Sequence, residues 1–267
     1  MKFTLLFFMF LYVFIPIHGQ SKEVMFHSKD EFSDKDNAVA YVFGDKVKLR
    51  SMPNVNSEVL AMLRISDKVT VLSGGAYKNT QIKYNGIKWF WSKIEYQGVV
   101  GYVLNGLLSQ TTSKTGNTTY LTSLKKEGDE LYILIRAKNE GFNYFESKLA
   151  FSKWDSFTIE AFNDRGVPSV NNMIKFDVSH NISRTEYYFF NTTEGLKKAI
   201  ELRHHEDGGS YLFHEVVTFP NEKDGEIGKI KYQCYRDETG KSYDDVIINF
   251  VWKGEELKSN INVMETN

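Results

Sequence analysis

The groups with which this 267-residue chain could do chemistry are few in kind: one Cys, six His and many carboxylates. Cys234 sits in Lys231-Tyr232-Gln233-Cys234-Tyr235-Arg236, where alternation puts it on one face of a strand. A nucleophilic thiol needs a base nearby and a setting that lowers its pKa. The last histidine is His214, upstream of Cys234, and no Gly-rich or helix-start context surrounds the thiol. It reads as a small, half-buried filler. His204-His205-Glu206-Asp207, with His214 nearby, is the most metal-like cluster. Neighbouring residues of a strand point to opposite faces, so His204 and His205 cannot share an ion without a bulge. A solvated turn before Gly208-Gly209 is the simpler reading.

Other candidates are weaker still. Asp224-Gly225 and Asp237-Glu238-Thr239-Gly240 lack the alternating oxygen ligands of a calcium loop and read as surface turns. Glu160 with Asp164, or Asp244 with Asp245, has the composition of a glycosidase pair, but carboxylates are too plentiful for that to carry information. There is no Gly-x-Ser-x-Gly elbow. Asn117, Asn181 and Asn191 open glycosylation sequons, which matter only in a eukaryotic secretory pathway. The expectation is a protein with no catalytic residues, no metal and no cofactor.

Composition sets the frame around these residues. With 42% hydrophobic residues and a formal net charge of −1, general disorder is excluded. A lone Cys excludes an intrachain disulfide scaffold and any Cys-rich metal module. The near-neutral total gives no nucleic-acid signature, yet it is unevenly divided. Residues 38–109 carry nine Lys and Arg (46, 48, 50, 64, 68, 78, 83, 88, 93) against four Asp and Glu (45, 58, 67, 95), a net of +5. Residues 1–37 carry four against five, which leaves a net of −5 for the rest. A basic first domain and an acidic second one could dock on each other.

The chain opens with Lys2, an apolar run from Leu5 to Ile17 and then His18-Gly19-Gln20. That is the layout of a secretory signal peptide, residues 1–19, and the run is short for a membrane span. No Cys lies near that point, so it is not a lipoprotein signal, and no second apolar run of that kind occurs. The expectation is an exported protein, periplasmic or secreted. Residues 20–37 read as a flexible arm, 38–109 as a first β-domain, and 110–119, rich in Thr and Ser, as a linker. Residues 120–258 read as a second β-rich domain and 259–267 as a tail.

Both domains read as strands. Asn85-Gly86 between Ile82-Lys83-Tyr84 and Ile87-Lys88-Trp89 is a strong two-residue hairpin signal, and Tyr96-Gln97-Gly98-Val99 supplies another. Further runs include Leu131–Ile135, Met173–Val178, Tyr187–Phe190, His214–Phe219 and Val246–Val251, with Gly-centred turns between them. Glu194–Arg203 is the one helix candidate, although its Leu196, Ile200 and Leu202 fit either period. The fold class is all-β, a small barrel followed by a larger antiparallel domain of sandwich or propeller-like form.

A resemblance sharpens the first domain. Val47-Lys48-Leu49-Arg50-Ser51-Met52-Pro53-Asn54, Val59–Leu63, Asp67–Leu72, Trp91-Ser92-Lys93-Ile94 and Gly98-Val99-Val100-Gly101-Tyr102-Val103 occur in the order of a bacterial SH3-like (SH3b) domain. The chain resembles that family over about 70 residues, with a longer loop at Ser73–Ile82 and Tyr102 where Trp is commoner. Leu49, Val59, Val69, Val71, Ile94, Val100 and Val103 are expected to fill the barrel. The resemblance implies a targeting or binding module, directed towards peptidoglycan or peptides and often placed beside a hydrolase. More faintly, Met173–Leu257 resembles the aromatic, Gly-turned domains that follow SH3b modules in exported proteins of Bacteroidetes-type bacteria.

Alternation sends Trp89 and Trp91 to one face, with Arg50, Lys88 and Lys93 near them in the expected sheet. A shallow aromatic groove with basic flanks suits a carboxylate-bearing ligand. Trp89, Trp91, Tyr102, Arg50 and Lys93 are therefore the candidate ligand-binding residues. The competing reading is that the aromatics pack the barrel rim or dock the second domain. The functional expectation is an exported, non-catalytic binding or scaffold protein of the cell envelope that contacts a peptide, peptidoglycan or an acidic protein. The alternative is an envelope hydrolase whose catalytic residues escape recognition.

Overall fold

β-Branched and aromatic runs broken by Gly- and Asn-centred turns favour extended chain over helix. Among the described residues the regular structure is accordingly strand, apart from one 3-10 turn at Asn105–Leu107. The computed structural model describes residues 38–73, 80–141, 144–152, 155–209, 211–238, 241–253 and 256–259. The expected signal peptide, the arm and residues 260–267 lie outside them.

The barrel region comprises β1 (Ala38–Tyr41), β2 (Val47–Arg50), β3 (Val59–Leu63), β4 (Lys68–Ser73), β5 (Ile82–Tyr84), β6 (Ile87–Trp89), β7 (Trp91–Tyr96) and β8 (Val99–Leu104). Six of these pair in the order β1-β4-β7-β8-β2-β3, and β5 with β6 makes a separate ribbon. Both expected hairpins form, with positive φ at Asn85, Gly86, Gln97 and Gly98. Leu49, Val69, Val71, Ile94 and Val103 fill the interior with Ala40, Val42, Val47, Leu63 and Leu108. Val59 and Val100 do not: they are 41% and 43% exposed. The β2–β3 register slips between Leu49 and Arg50, and Val100 lies on the outer face with Tyr102. At Gly101 a Cβ would stand 2.7 Å from the Arg50 carbonyl oxygen, so only glycine lets β2 and β8 meet.

The polar run expected to be a linker is an edge hairpin. β9 (Thr112–Thr115) turns at Gly116-Asn117 and pairs with the start of β10 (Thr118–Glu127). Thr is strand-prone, and the polar side chains of β9 are used against β13, where Ser113 Oγ accepts the Ala161 N–H at 3.1 Å and Thr115 Oγ1 donates to Asn163 Oδ1 at 3.0 Å. β11 (Glu130–Asn139) and β12 (Tyr144–Phe151) complete a four-stranded sheet in the order β12-β11-β10-β9.

The remaining strands are β13 (Ser156–Asn163), β14 (Val170–His180), β15 (Ser183–Thr192), β16 (Leu196–Asp207), β17 (Tyr211–Thr218), β18 (Ile230–Glu238), β19 (Lys241–Lys253) and β20 (Glu256–Ser259). They form one eight-stranded antiparallel sheet in chain order. Ile133, Ile135 and Leu149 of the small sheet pack on Ile174, Phe176 and Phe189 of the large one, so the second region is a sandwich. On the opposite face of β14–β16, Met173, Tyr188, Phe190, Ile200 and Leu202 meet Phe219, Ile230 and Trp252 from the later part of the chain. The large sheet thus folds back over its own first strands, and β14 and β15 are buried on both sides.

The segment read as a helix, Glu194–Arg203, lies almost wholly in β16. The β15–β16 register shifts between Tyr188 and Phe189, whose partners are Ile200 and Lys198. This bulge sends Leu196 to one core and Ile200 with Leu202 to the other, although 196 and 200 share parity. A spacing of four thereby arises without a helix.

The barrel and the sandwich are joined by an apolar seam. Ile87, Trp89, Trp91 and Leu104 share one buried cluster with Tyr120, Leu124 and the sandwich core. A second contact packs Phe43 and Ile65 on Leu121 and Leu134, with the Arg136 guanidinium 4.3 Å from the Phe43 ring and donating to the Phe43 carbonyl at 2.7 Å. The Lys126 N–H also donates to the Asn85 carbonyl at 2.8 Å. The +5 and −5 regions do dock, but through apolar packing and backbone hydrogen bonds.

Candidate functional site

Three of the five candidate residues are brought together in a row. Tyr102 on β8 is directly opposite Arg50 on β2 and Lys93 on β7, so all three leave the same, outer face of the barrel. Each is half-buried. The Arg50 side chain is held by a hydrogen bond from Nη1 to the Ser57 carbonyl at 2.7 Å. That carbonyl belongs to the β2–β3 loop, which closes on itself through Ser51 N to Glu58 O (3.0 Å) and Ser57 Oγ to Met52 O (2.9 Å). The cation is therefore oriented before any ligand arrives. Val59, the partner of Arg50 on β3, is exposed, as are Met52, Met62 and Val100. The face combines two cations, one aromatic ring and an apolar rim at the open edge strand β3.

Trp91 leaves the same face of β7 as Lys93, and Tyr102 packs against the cluster that holds both indoles, but Trp89 and Trp91 are themselves covered. They are 2% and 3% exposed, and their indoles extend the sandwich core. Trp89 Nε1 donates to the Tyr84 carbonyl at 3.1 Å, and its ring leaves no room for a Cβ at Gly106, which would stand 2.6 Å away. Alternation did put both rings on one side, but β10 covers that side. In place of the expected groove lined by Trp89 and Trp91 there is a buried seam. The covering strand begins in Thr118-Thr119-Tyr120-Leu121-Thr122-Ser123-Leu124, whose Tyr120 and Leu124 were the available signal.

The chemical candidates of the second region are dispersed. Cys234, on β18, is opposite Glu215 on β17, whereas His214 is opposite Tyr235. Adjacent rows point to opposite faces, so the thiol and the nearest imidazole diverge. Asp164 accepts the Gly166 N–H at 2.9 Å in a turn, and Glu160 lies 3.7 Å from Lys175. The side chains of Asp244 and Asp245 fall outside the described residues, as do Thr239 and Gly240. Among the described residues no group of three or more His, Cys, Asp or Glu is placed to hold a metal ion. His204 and His205 do face opposite sides, but in mid-sheet: His205 meets Ser183 Oγ at 3.0 Å, and His204 meets His214.

Two carboxylates are buried without a catalytic neighbour. Glu186, 7% exposed, receives Tyr188 OH at 3.2 Å and a hydrogen bond from Arg184. Glu215, 5% exposed, accepts the Arg203 N–H at 2.6 Å and Tyr232 OH at 2.8 Å. Burial works to raise the Glu215 pKa, but hydrogen bonds from the Arg203 backbone, Tyr232 and the Arg203 guanidinium outweigh it and hold the carboxyl below its usual range. A depressed folded-state pKa stabilises at neutral pH, and the gain is lost as pH falls through the folded value. Glu215→Gln is expected to cost about 1–3 kcal/mol at pH 7. In urea unfolding the gap between wild type and variant should narrow on acidification below the usual carboxylate range. A gap that stays constant with pH would show that the charge contributes nothing.

Residues 45–109 match the bacterial SH3 domain family. Domains of this kind are typically cell-wall or peptide binding modules. No curated protein and no solved structure matches the chain. No helix among the described residues is long and apolar enough to cross a membrane.

Proposed function

We propose that the bacterial SH3 domain works as a non-catalytic binding module of an exported cell-envelope protein, and that its contact row is Arg50, Tyr102 and Lys93. The ligand class is a carboxylate-bearing peptide, as in the peptide part of peptidoglycan. The observation that carries the reading is the register itself: Tyr102 stands between two cations on neighbouring strands, beside an exposed apolar rim. Arg50, held by Ser57, supplies a fixed fork for a carboxylate. Lys93 supplies a second charge, the ring supplies contact area, and the rim at β3 accepts apolar side chains or extended chain along its open edge. The export half of the reading rests on the amino-terminal pattern of Lys2, Leu5–Ile17 and Gly19.

Binding of the purified chain to peptidoglycan sacculi, followed by co-sedimentation, tests the site. Charge-assisted hydrogen bonds are worth about 1.5–3 kcal/mol each, so Arg50→Ala should weaken binding by roughly tenfold or more, and Lys93→Ala by a smaller factor. Loss should be graded by salt for both. Unchanged binding in the double variant would remove the row from the reading. A cleared zone in a peptidoglycan zymogram would overturn the non-catalytic half and favour an envelope hydrolase.

A further inference from the structure

We propose that His204 and His214 form a two-histidine site for a divalent transition-metal ion of the zinc–copper–nickel class, on the face of the large sheet opposite His205.

The two residues are direct partners on β16 and β17. Their Nδ1 atoms stand 3.3 Å apart, with the rings nearly perpendicular at 76°. Two imidazole nitrogens bound to one tetrahedral ion at about 2.0–2.1 Å are themselves roughly 3.3 Å apart, so the separation is that of a shared ion. A hydrogen bond between the rings would also give this distance, and it leaves the pair free to exchange a proton for an ion.

What surrounds the rings fixes them for that role. The other nitrogen of His204, Nε2, is buried, has no hydrogen-bond partner and lies 3.9 Å from Glu186 Oε1. Glu186 is too far for a hydrogen bond and acts on the ring only through its charge. Glu186 is itself anchored by Tyr188, Arg184 and Lys175, the last at 3.9 Å. Arg184, which flanks His204 on β15, is also engaged by Asp177 at 2.9 Å. On the far side His214 lies flat on Tyr235, with centroids 5.3 Å apart and planes at 8°. The His214 plane is thus set by a neighbour other than His204.

Two nitrogens are half of a tetrahedral set, and the remaining positions fall to water or to an exogenous donor. Imidazole suits zinc, copper and nickel, and a first set of nitrogens without carboxylate argues against calcium or magnesium.

The test uses the untagged full chain, stripped of metal, titrated with Zn2+ by calorimetry and with Cu2+ by electron paramagnetic resonance. One ion per chain is expected, with a copper spectrum that shows two imidazole nitrogens. His204→Ala and His214→Phe should each lower affinity at least tenfold; the phenyl ring keeps the stack on Tyr235, so the second variant preserves packing. Glu186→Gln removes a charge 3.9 Å from His204 and should lower affinity by a smaller factor than either histidine variant, with the stoichiometry unchanged. His205→Ala should leave both unchanged. Absence of stoichiometric binding, a copper spectrum without paired imidazole nitrogens, or unaltered affinity in the folded double variant His204→Ala/His214→Phe would each overturn the proposal. If a variant fails to fold, the wild-type copper spectrum decides.

Discussion

Trp89→Ala is expected to destabilise the protein by about 3–5 kcal/mol, the range for removing a large aromatic side chain from a packed interior. The ring is 2% exposed, is hydrogen-bonded to Tyr84 and lies against Gly106. Its removal leaves a cavity between Leu104, Tyr120 and Leu124, where neither the barrel nor the sandwich can collapse without giving up its own register. Chemical denaturation gives the size of the loss. It also gives its character: cooperative unfolding of both parts in the wild type should separate into two transitions in the variant, because the lost contacts are those that couple them. A loss under 1 kcal/mol with a single transition would show that the seam contributes little. The same change tests the division of roles among the aromatics. Ligand affinity of the folded Trp89→Ala protein should change far less than that of Arg50→Ala, since the indole does not reach the open face.

The second large effect is expected at Asn172. Its side chain sits between the sheets, where Oδ1 accepts from Tyr120 OH and from Asn191 Nδ2 at 3.0 Å, while Nδ2 donates to Thr118 Oγ1 at 2.8 Å. Thr118 passes the chain on to Asn139 at 2.6 Å. The network therefore bridges β10 and β11 of the small sheet to β14 and β15 of the large one. Asn172→Leu keeps the volume but leaves the Tyr120 hydroxyl, the Asn191 amide and the Thr118 hydroxyl each short of one partner in a buried site. At about 1–3 kcal/mol for each unsatisfied buried group, a total of roughly 3–5 kcal/mol is expected once the network relaxes. Burial already pushes the Tyr120 phenol far above its ordinary pKa, so ionisation offers no escape. Thermal unfolding of Asn172→Leu beside Asn172→Asp separates loss of hydrogen bonding from loss of shape. Near-wild-type stability in Asn172→Leu would mean that the network is dispensable.

How much of this could be read from the chain varies with the distance of the partner. The Asn85-Gly86 and Gln97-Gly98 turns were legible because a two-residue hairpin is decided by the residues inside it. The order of barrel strands was legible through the run from Val47 to Val103. Faces were less so: Val59 looked like core because alternation continues through it, whereas the register slip at Leu49/Arg50 turns the ladder by one residue. Leu196, Ile200 and Leu202 suggested a helix for the same reason, a bulge that changes parity within a strand. Thr111–Thr119 looked like a linker because a polar strand and a linker share a composition, and only pairing distinguishes them. The fate of Trp89 and Trp91 depended on Tyr120 and Leu124, some thirty residues away, and no local pattern states that two segments will meet. Of the candidate site, the common face of Arg50, Tyr102 and Lys93 was legible because it follows from the pleat and the hairpin register.

The large sheet runs β13 to β20 in chain order, so each of its ladders joins strands that are adjacent in sequence. Assembly can proceed hairpin by hairpin, with only a short loop to close at each step, and such local ladders form quickly. The barrel is ordered differently: β1 waits for β4, and β2 waits for β8, the last strand of its domain. Closing it brings Arg50 to Tyr102 across nearly the whole module. The row that would meet the ligand is therefore also the latch of the slower-folding half, and it exists as a surface only once that half has closed.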